Sequence, residues 1–252
     1  MGARLITIPI SHFCEKARWA LDRAGVAYTE KPHLQLIHVG AAKLAGGGRT
    51  VPVFVAEDGQ VLAESSEILR WADSVSKPGR RLYPEGEAGE QATRLEAELD
   101  HGFGPDGRLW MYHGTLPVID RMGEWATAGV PLWERGVFRV GGRAVDWTIR
   151  RYLSIDGASA LAARERVDQV FDDVAERLSD GRSYLLGDRF TAADLTFAAL
   201  AAPMLLPERY GSPLPPVEAM PAAMAEEVRG LREHPAGRFA ERIYECERHS
   251  PA

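Results

Sequence analysis

Ser11-His12-Phe13-Cys14-Glu15-Lys16-Ala17-Arg18-Trp19-Ala20-Leu21 is the stretch from which the rest of the chain is read. Upstream lies a short apolar run, Leu5-Ile6-Thr7-Ile8, broken by Pro9-Ile10. Downstream, Phe13, Ala17, Ala20, Leu21 and Ala24 fall on one side of a helix, and Gly25 closes it. Ser11 and Cys14 therefore stand where a strand hands over to a helix N-terminus. The first backbone N–H groups of a helix have no partner within it and the dipole there is positive, so a thiolate is stabilised.

Around this stretch, strand and helix signals alternate. Residues 4–8 read as a strand, 12–24 as a helix, and 27–31 as a second strand ending at Pro32. Residues 33–44 are ambiguous and only loosely helical, and Ala45-Gly46-Gly47-Gly48 breaks them. Val51-Pro52-Val53-Phe54-Val55 and Val61-Leu62-Ala63 flank Glu57-Asp58-Gly59-Gln60, and Asp-Gly between apolar runs signals a hairpin. Residues 65–76 form the next helix. The order is β-α-β-(α)-β-β-α.

The polar connector Lys77-Pro78-Gly79-Arg80-Arg81 and Pro84-Glu85-Gly86 marks a boundary between units at 1–80 and 88–252. Beyond it no convincing strand pattern appears. Helices are expected over 88–99, 108–113, 118–128 with 131–139 as an extension, 144–154, 158–178, 192–205, 220–231 and 236–247. Gly211-Ser212-Pro213-Leu214-Pro215-Pro216 reads as a stiff connector. The fold class is α/β plus all-α.

The chain has 252 residues, 45% hydrophobic and 26% charged, with a net charge of −6. That balance is ordinary for a soluble globular protein and argues against nucleic acid or anionic membrane as the main partner. The first 80 residues carry about +2 and the remainder about −8. A mildly positive first unit suits an anionic ligand, although chance scatter of surface charge explains it equally well. The two cysteines, Cys14 and Cys246, support neither a disulfide framework nor a zinc site, and both are expected as thiols in the cytoplasm. No signal peptide is expected. The most apolar later segment, 195–206, is too short to span a bilayer and contains Pro203.

The pattern resembles the glutathione transferase superfamily, a thioredoxin-like N-terminal domain followed by a helical bundle. Four features carry the resemblance, and together they cover residues 5 to about 200. Ser11-His12-Phe13-Cys14 opens the first helix, similar to the Cys-Pro-Phe-Cys of thiol oxidoreductases but with Ser in first position. Thr50-Val51-Pro52 precedes the third strand. Glu64-Ser65, followed by Ile68, opens the third helix. Gly187-Asp188-Arg189-Phe190-Thr191-Ala192-Ala193-Asp194 lies in the helical part. Class within the superfamily does not follow, and the Trp-rich stretch 102–155 looks longer than in compact members.

The resemblance implies glutathione as co-substrate, no metal, a small hydrophobic electrophile as acceptor, and a homodimer. It implies that Ser11 donates a hydrogen bond to the glutathione sulfur. A thiol of pKa about 8.5 is mostly protonated at neutral pH, and lowering it by about two units takes roughly 2.7 kcal/mol. The helix dipole supplies about 0.3–1 kcal/mol, at best about 2, and one charge-assisted hydrogen bond about 1.5–3. A hydroxyl donor is therefore chemically motivated. The plainer reading of Ser11 is a helix N-cap.

Cys14 is the competing catalytic residue. It occupies the position of the second cysteine of thioredoxin-like proteins, without the first, so a packing role stands beside a nucleophilic one. By resemblance Val51-Pro52 is a cis bond that turns the Val51 backbone toward the cysteinyl unit of glutathione; the alternative is a trans proline at a strand start. Glu64 and Ser65 match the γ-glutamyl-binding pair, or form another N-cap through Ser65 or Ser66. Arg49 is a candidate for the glycyl carboxylate, or a solvated loop arginine. Thr191 and Asp194 read as a structural capping box. Trp110, Tyr112, His113 and Trp125 are either pocket lining or core. His33 and His38 lack evident partner ligands. The leading function is transfer of glutathione to an electrophile. The alternatives are a thiol–disulfide oxidoreductase or deglutathionylase using Cys14, and a non-catalytic binding module of the same fold.

Overall fold

A computed structural model describes residues 2–140, 151 and 155–249 of the chain. β1 (Arg4–Thr7), α1 (His12–Ala24), β2 (Thr29–Pro32), α2 (His38–Leu44), β3 (Val53–Val55), β4 (Val61–Leu62) and α3 (Ser65–Val75) follow in that order. The sheet runs β2-β1-β3-β4, with β1 parallel to β2, antiparallel to β3, and β3 antiparallel to β4. This is a thioredoxin-like unit. The β3–β4 turn forms where Asp58-Gly59 predicts it. Gly59 takes φ +89°, a conformation that favours glycine, and Asp58 Oδ1 accepts from the Gln60 N–H at 2.9 Å.

The remainder is helical: α4 (Glu87–Glu98), α5 (Gly104–Thr115), α6 (Gly123–Ala126), α7 (Gly157–Leu178), α8 (Ala192–Leu205), α9 (Ala222–Glu233) and α10 (Pro235–Glu247). A π-helical turn, Leu99–Phe103, joins α4 to α5, and residues 132–140 are helical. The helix expected over 144–154 lies almost entirely outside the described residues. The helix expected over 118–128 is not continuous. Leu116–Met122 is 3₁₀, with Val118 at φ −118°, ψ 21°, before the short α6. Pro117 has no N–H to continue the α5 ladder, so the chain tightens there.

One apolar core spans both units. It includes Leu5, Trp19, Phe54 and Ile68 from the first and Phe103, Phe171, Phe197 and Leu200 from the second. α1 lies in the middle, packed against α3 on one side and α8 on the other. Its one-sided apolar pattern is therefore only part of the picture. Glu15, Lys16 and Arg18 are also buried, each at most 1% exposed. Lys16 Nζ meets Glu96 Oε1 at 2.8 Å and Asp100 Oδ2 at 2.6 Å, and Arg248 Nε meets Glu15 Oε1 at 2.7 Å. Buried charges persist where partners and hydrogen bonds compensate them, and here the partners lie on the helical unit. Thr191 and Asp194 form the expected box at the start of α8.

Candidate active site

The sheet register gathers the predicted site residues at one end. β1 leads from Thr7 into Ile8-Pro9-Ile10 and then α1. Ile6 is paired with Val53, so Val51 and Pro52, just before β3, lie beside the end of β1. Phe54 is paired with Leu62, so β4 delivers Ala63 and Glu64 to the same end. Thr7 is paired with Pro32, which brings the turn at 33–37 there too. Ligands of open α/β sheets sit in the crevice beyond such carboxyl ends.

Ser11 is the N-cap of α1. Its Oγ accepts from the Cys14 N–H at 3.4 Å, a long bond. Its own N–H donates to Ile8 O at 3.2 Å. Arg18 clamps this loop from below. Its Nη2 donates to Pro9 O at 3.1 Å and Ile8 O at 3.3 Å, while Glu30 Oε1 holds its Nε and Nη2 at 2.9 and 2.7 Å. His12 is buried, its Nε2 3.0 Å from Gly104 O, and burial pushes its pKa down to about 3. The ring is therefore neutral, and its Nε2–H donates to that carbonyl.

Cys14 is fully buried beneath the site, and burial pushes its thiol up. The Val51–Pro52 bond is cis, with Pro52 buried and Val51 half-buried. Glu64, not Ser65 or Ser66, is the N-cap residue of α3, and its side chain makes no capping hydrogen bond. Glu67 instead accepts from the Ala63 N–H at 3.1 Å. The first turn of α3 is thus left without a side-chain cap, and Ser65 is buried within it. Burial, then the charges of Glu67 and Asp100, hold the Glu64 carboxyl above its usual range. Arg49 is exposed.

An almost wholly apolar cavity of about 180 Å³ opens beside the Ile8-Pro9-Ile10 loop, which leads into Ser11, although Ser11 itself does not line it. Ile8 and Ile10 form its near wall, with Leu36, Tyr112, Trp125 and Tyr210 among the others. Tyr112 and Trp125 therefore line a pocket. Trp110 is core, its Nε1 bonded to Glu227 at 3.0 Å, and His113 is exposed. Leu36 adopts φ +73° at the cavity edge, a backbone conformation uncommon for a residue with a side chain. The turn that carries it is tied to the helical unit. Glu134, wholly buried, holds His33 Nδ1 at 2.7 Å and the Leu34 N–H at 2.8 Å, and Gln35 Nε2 donates to Tyr112 Oη. The sequence reading found no partner for His33; its partner is 101 residues away. Arg18 and Glu134 were not singled out either, since nothing local marks them.

The fold is that of a thioredoxin-like domain followed by a helical domain, and the comparisons agree with it. Residues 5–78 match the family model for the glutathione S-transferase N-terminal domain and residues 123–225 that for the C-terminal domain. The chain belongs to the glutathione transferase superfamily. No curated protein sequence matches it. Similar folds occur in a glutathione S-transferase from Pseudomonas fluorescens (18% identity, 100% of this chain and 98% of that one, TM-score 0.61). One from Xanthobacter autotrophicus is 17% identical over 99% and 96%, with TM-score 0.59. One from Methylobacterium radiotolerans, in complex with glutathione sulfonate, is 18% identical over 100% and 97%, with TM-score 0.55. Among the described residues no helix is long and apolar enough to cross a membrane.

Proposed function

We propose that the protein transfers glutathione to a small apolar electrophile, with Ser11 donating a hydrogen bond to the glutathione thiolate. The observation that carries this reading is the N-cap hydroxyl of α1, which directly follows Ile10, a wall residue of an apolar cavity. The bond that Ser11 accepts from the Cys14 N–H leaves its own hydroxyl proton available. The uncapped first turn of α3 suits the γ-glutamyl carboxylate, with Ser65 inside the turn and Glu64 facing the α-ammonium. Val51, just before Pro52, offers its backbone to the cysteinyl unit, and the Arg49 guanidinium pairs with the glycyl carboxylate. Burial of Cys14 and its raised thiol favour this reading over a nucleophilic Cys14.

In this reading residues 1–80 bind glutathione and 88–252 supply most of the acceptor wall. In the same reading the protein is a cytoplasmic homodimer, for which the expected sedimentation mass is twice 27.7 kDa. The test is calorimetry with glutathione, followed by pH titration of the ultraviolet absorbance of the bound thiolate. Ser11→Ala is expected to raise that thiol's pKa by about 1–2 units, the equivalent of one charge-assisted hydrogen bond. A bound thiol whose pKa is the same in both proteins, or glutathione that does not bind, refutes the proposal.

A further inference from the structure

Gly104, Arg108 and Tyr112 succeed one another at intervals of four on α5, so they share one face of the helix. At one end of this face Gly104 packs on Phe13 and accepts from His12. At the other, Tyr112 lines the apolar cavity. Half-buried Arg108, one turn from each, lies on this face between Gly104 and Tyr112, beside the cavity and not among the residues that line it. Its charge acts on both His12 and Tyr112.

Among the described residues Arg108 has no hydrogen bond and no ion pair. The carboxylate next but one to it, Asp106, and the one that meets its helix at Trp110, Glu227, are already engaged. Asp106 is bound to Arg166 at 2.7 and 2.5 Å, and Glu227 to Trp110 and Arg164 at 3.0 Å each. The titratable groups that its charge reaches are neutral: His12, with a pKa of about 3, and Tyr112, whose hydroxyl burial pushes up. A guanidinium is always charged in a protein, and a partly desolvated charge is ordinarily paired.

We propose that Arg108 is a specificity residue that pairs with an anionic group, a carboxylate or sulfonate, on the acceptor molecule, whose apolar body fills the cavity. The planar guanidinium fits such groups with two parallel hydrogen bonds, and its half-buried setting strengthens the pair by excluding part of the water. This deepens the transferase reading by giving the acceptor class as an acidic apolar electrophile. It separates the cavity's two tasks, with the walls binding the body and Arg108 fixing its direction relative to the thiolate.

Two matched probe pairs test it. The first needs no turnover: fluorescence titration with 8-anilinonaphthalene-1-sulfonate and with N-phenyl-1-naphthylamine, the same framework without the sulfonate. Arg108→Gln is expected to lower the preference for the sulfonated dye about tenfold, the factor equivalent to ~1.4 kcal/mol. Arg108→Lys, which keeps the charge but loses the fork, falls part-way and stands in if the Gln variant does not fold.

The second pair is 1-chloro-2,4-dinitrobenzene and 4-chloro-3,5-dinitrobenzoate. In both, the thiolate lone pair forms the carbon–sulfur bond and chloride leaves with the carbon–chlorine pair. Each kcat/KM is divided by the uncatalysed rate constant with glutathione. The carboxylate preference is expected to fall about tenfold in Arg108→Gln. A fall of less than about threefold in the dye ratio overturns the proposal. So does a loss shared equally by both electrophiles, which would assign Arg108 to the thiolate, or a weakened glutathione affinity, which would assign it to the glycyl carboxylate. A wild type that turns over neither electrophile refutes the transferase reading, and the dye pair still decides the role of Arg108.

Discussion

Replacing Asp194 by alanine is expected to destabilise the protein strongly while sparing each folded molecule's activity. Asp194 is wholly buried at the start of α8. Its Oδ2 accepts from the Thr191 N–H at 2.8 Å and the Thr191 hydroxyl at 2.7 Å, and its Oδ1 from the Leu185 N–H at 2.7 Å. Alanine leaves two buried backbone N–H groups without a partner, at about 1–3 kcal/mol each. Removing a buried carboxylate offsets part of this, which leaves a loss of about 2–4 kcal/mol at neutral pH. At roughly 2–4 °C per kcal/mol for a chain of this size, Tm falls by about 5–15 °C. Asp194 does not line the cavity, so glutathione affinity and kcat per folded molecule are unchanged. Calorimetric melting beside active-site titration measures both. An unchanged Tm refutes the reasoning, and so does lost turnover at full folding.

The same residue makes the difference pH-dependent. Burial pushes the Asp194 carboxyl up to about 6, against the hydrogen bonds that pull it down. A folded carboxyl that holds its proton more tightly than the unfolded one contributes stability that is full below pH about 3.8 and is lost as pH rises through about 6. The gap between wild type and Asp194→Ala is therefore widest near pH 4. It narrows by up to about 3 kcal/mol by pH 7, readable from denaturant midpoints across that range.

Lys16→Met leaves Glu96 and Asp100 without the ammonium between them and is expected to destabilise by about 3–5 kcal/mol in urea unfolding. Adding Glu96→Gln and Asp100→Asn to it recovers much of that loss; a triple variant no more stable than the single one contradicts the assignment. Cys14→Ala opens a small hole in the core and is expected to cost about 1–2 kcal/mol of stability with kcat retained, whereas abolished turnover in a folded variant would return Cys14 to the chemistry.

Several features were legible because their causes are local. Gly25 ends α1 at φ +72°, Asp58-Gly59 turns the hairpin, and Asp194 reaches back three residues to Thr191. The β-α-β-α-β-β-α order follows from such signals. α2 was not sharply legible: it starts only at His38, after the left-handed Leu36, and Ile37 offers no capping side chain. The burial of Glu15, Lys16 and Arg18 was hidden for a different reason. Their partners Arg248, Glu96 and Asp100 lie 80 or more residues away, and Glu30 is on β2, so local periodicity assigns these side chains to solvent.

The candidate site was legible in the same uneven way. Ser11, Val51-Pro52 and Glu64-Ser65 stand at element boundaries that the pattern of strands and helices exposes. Arg18, Glu134 and Arg108 do not, because each acts through a contact the fold creates. Arg18 shows why this matters for chemistry. A hydroxyl stabilises a thiolate only if it already points where the charge will be, since reorienting it during the reaction consumes the benefit. The Ile8-Pro9-Ile10 loop has no secondary structure of its own to fix Ser11. It is fixed by a guanidinium bonded to two of its carbonyls and tied through Glu30 to β2. The buried charges of α1 therefore serve two ends with one helix. Glu15 and Lys16 lock the helical unit in place against it, and Arg18 holds rigid the loop on which the proposed hydrogen bond depends.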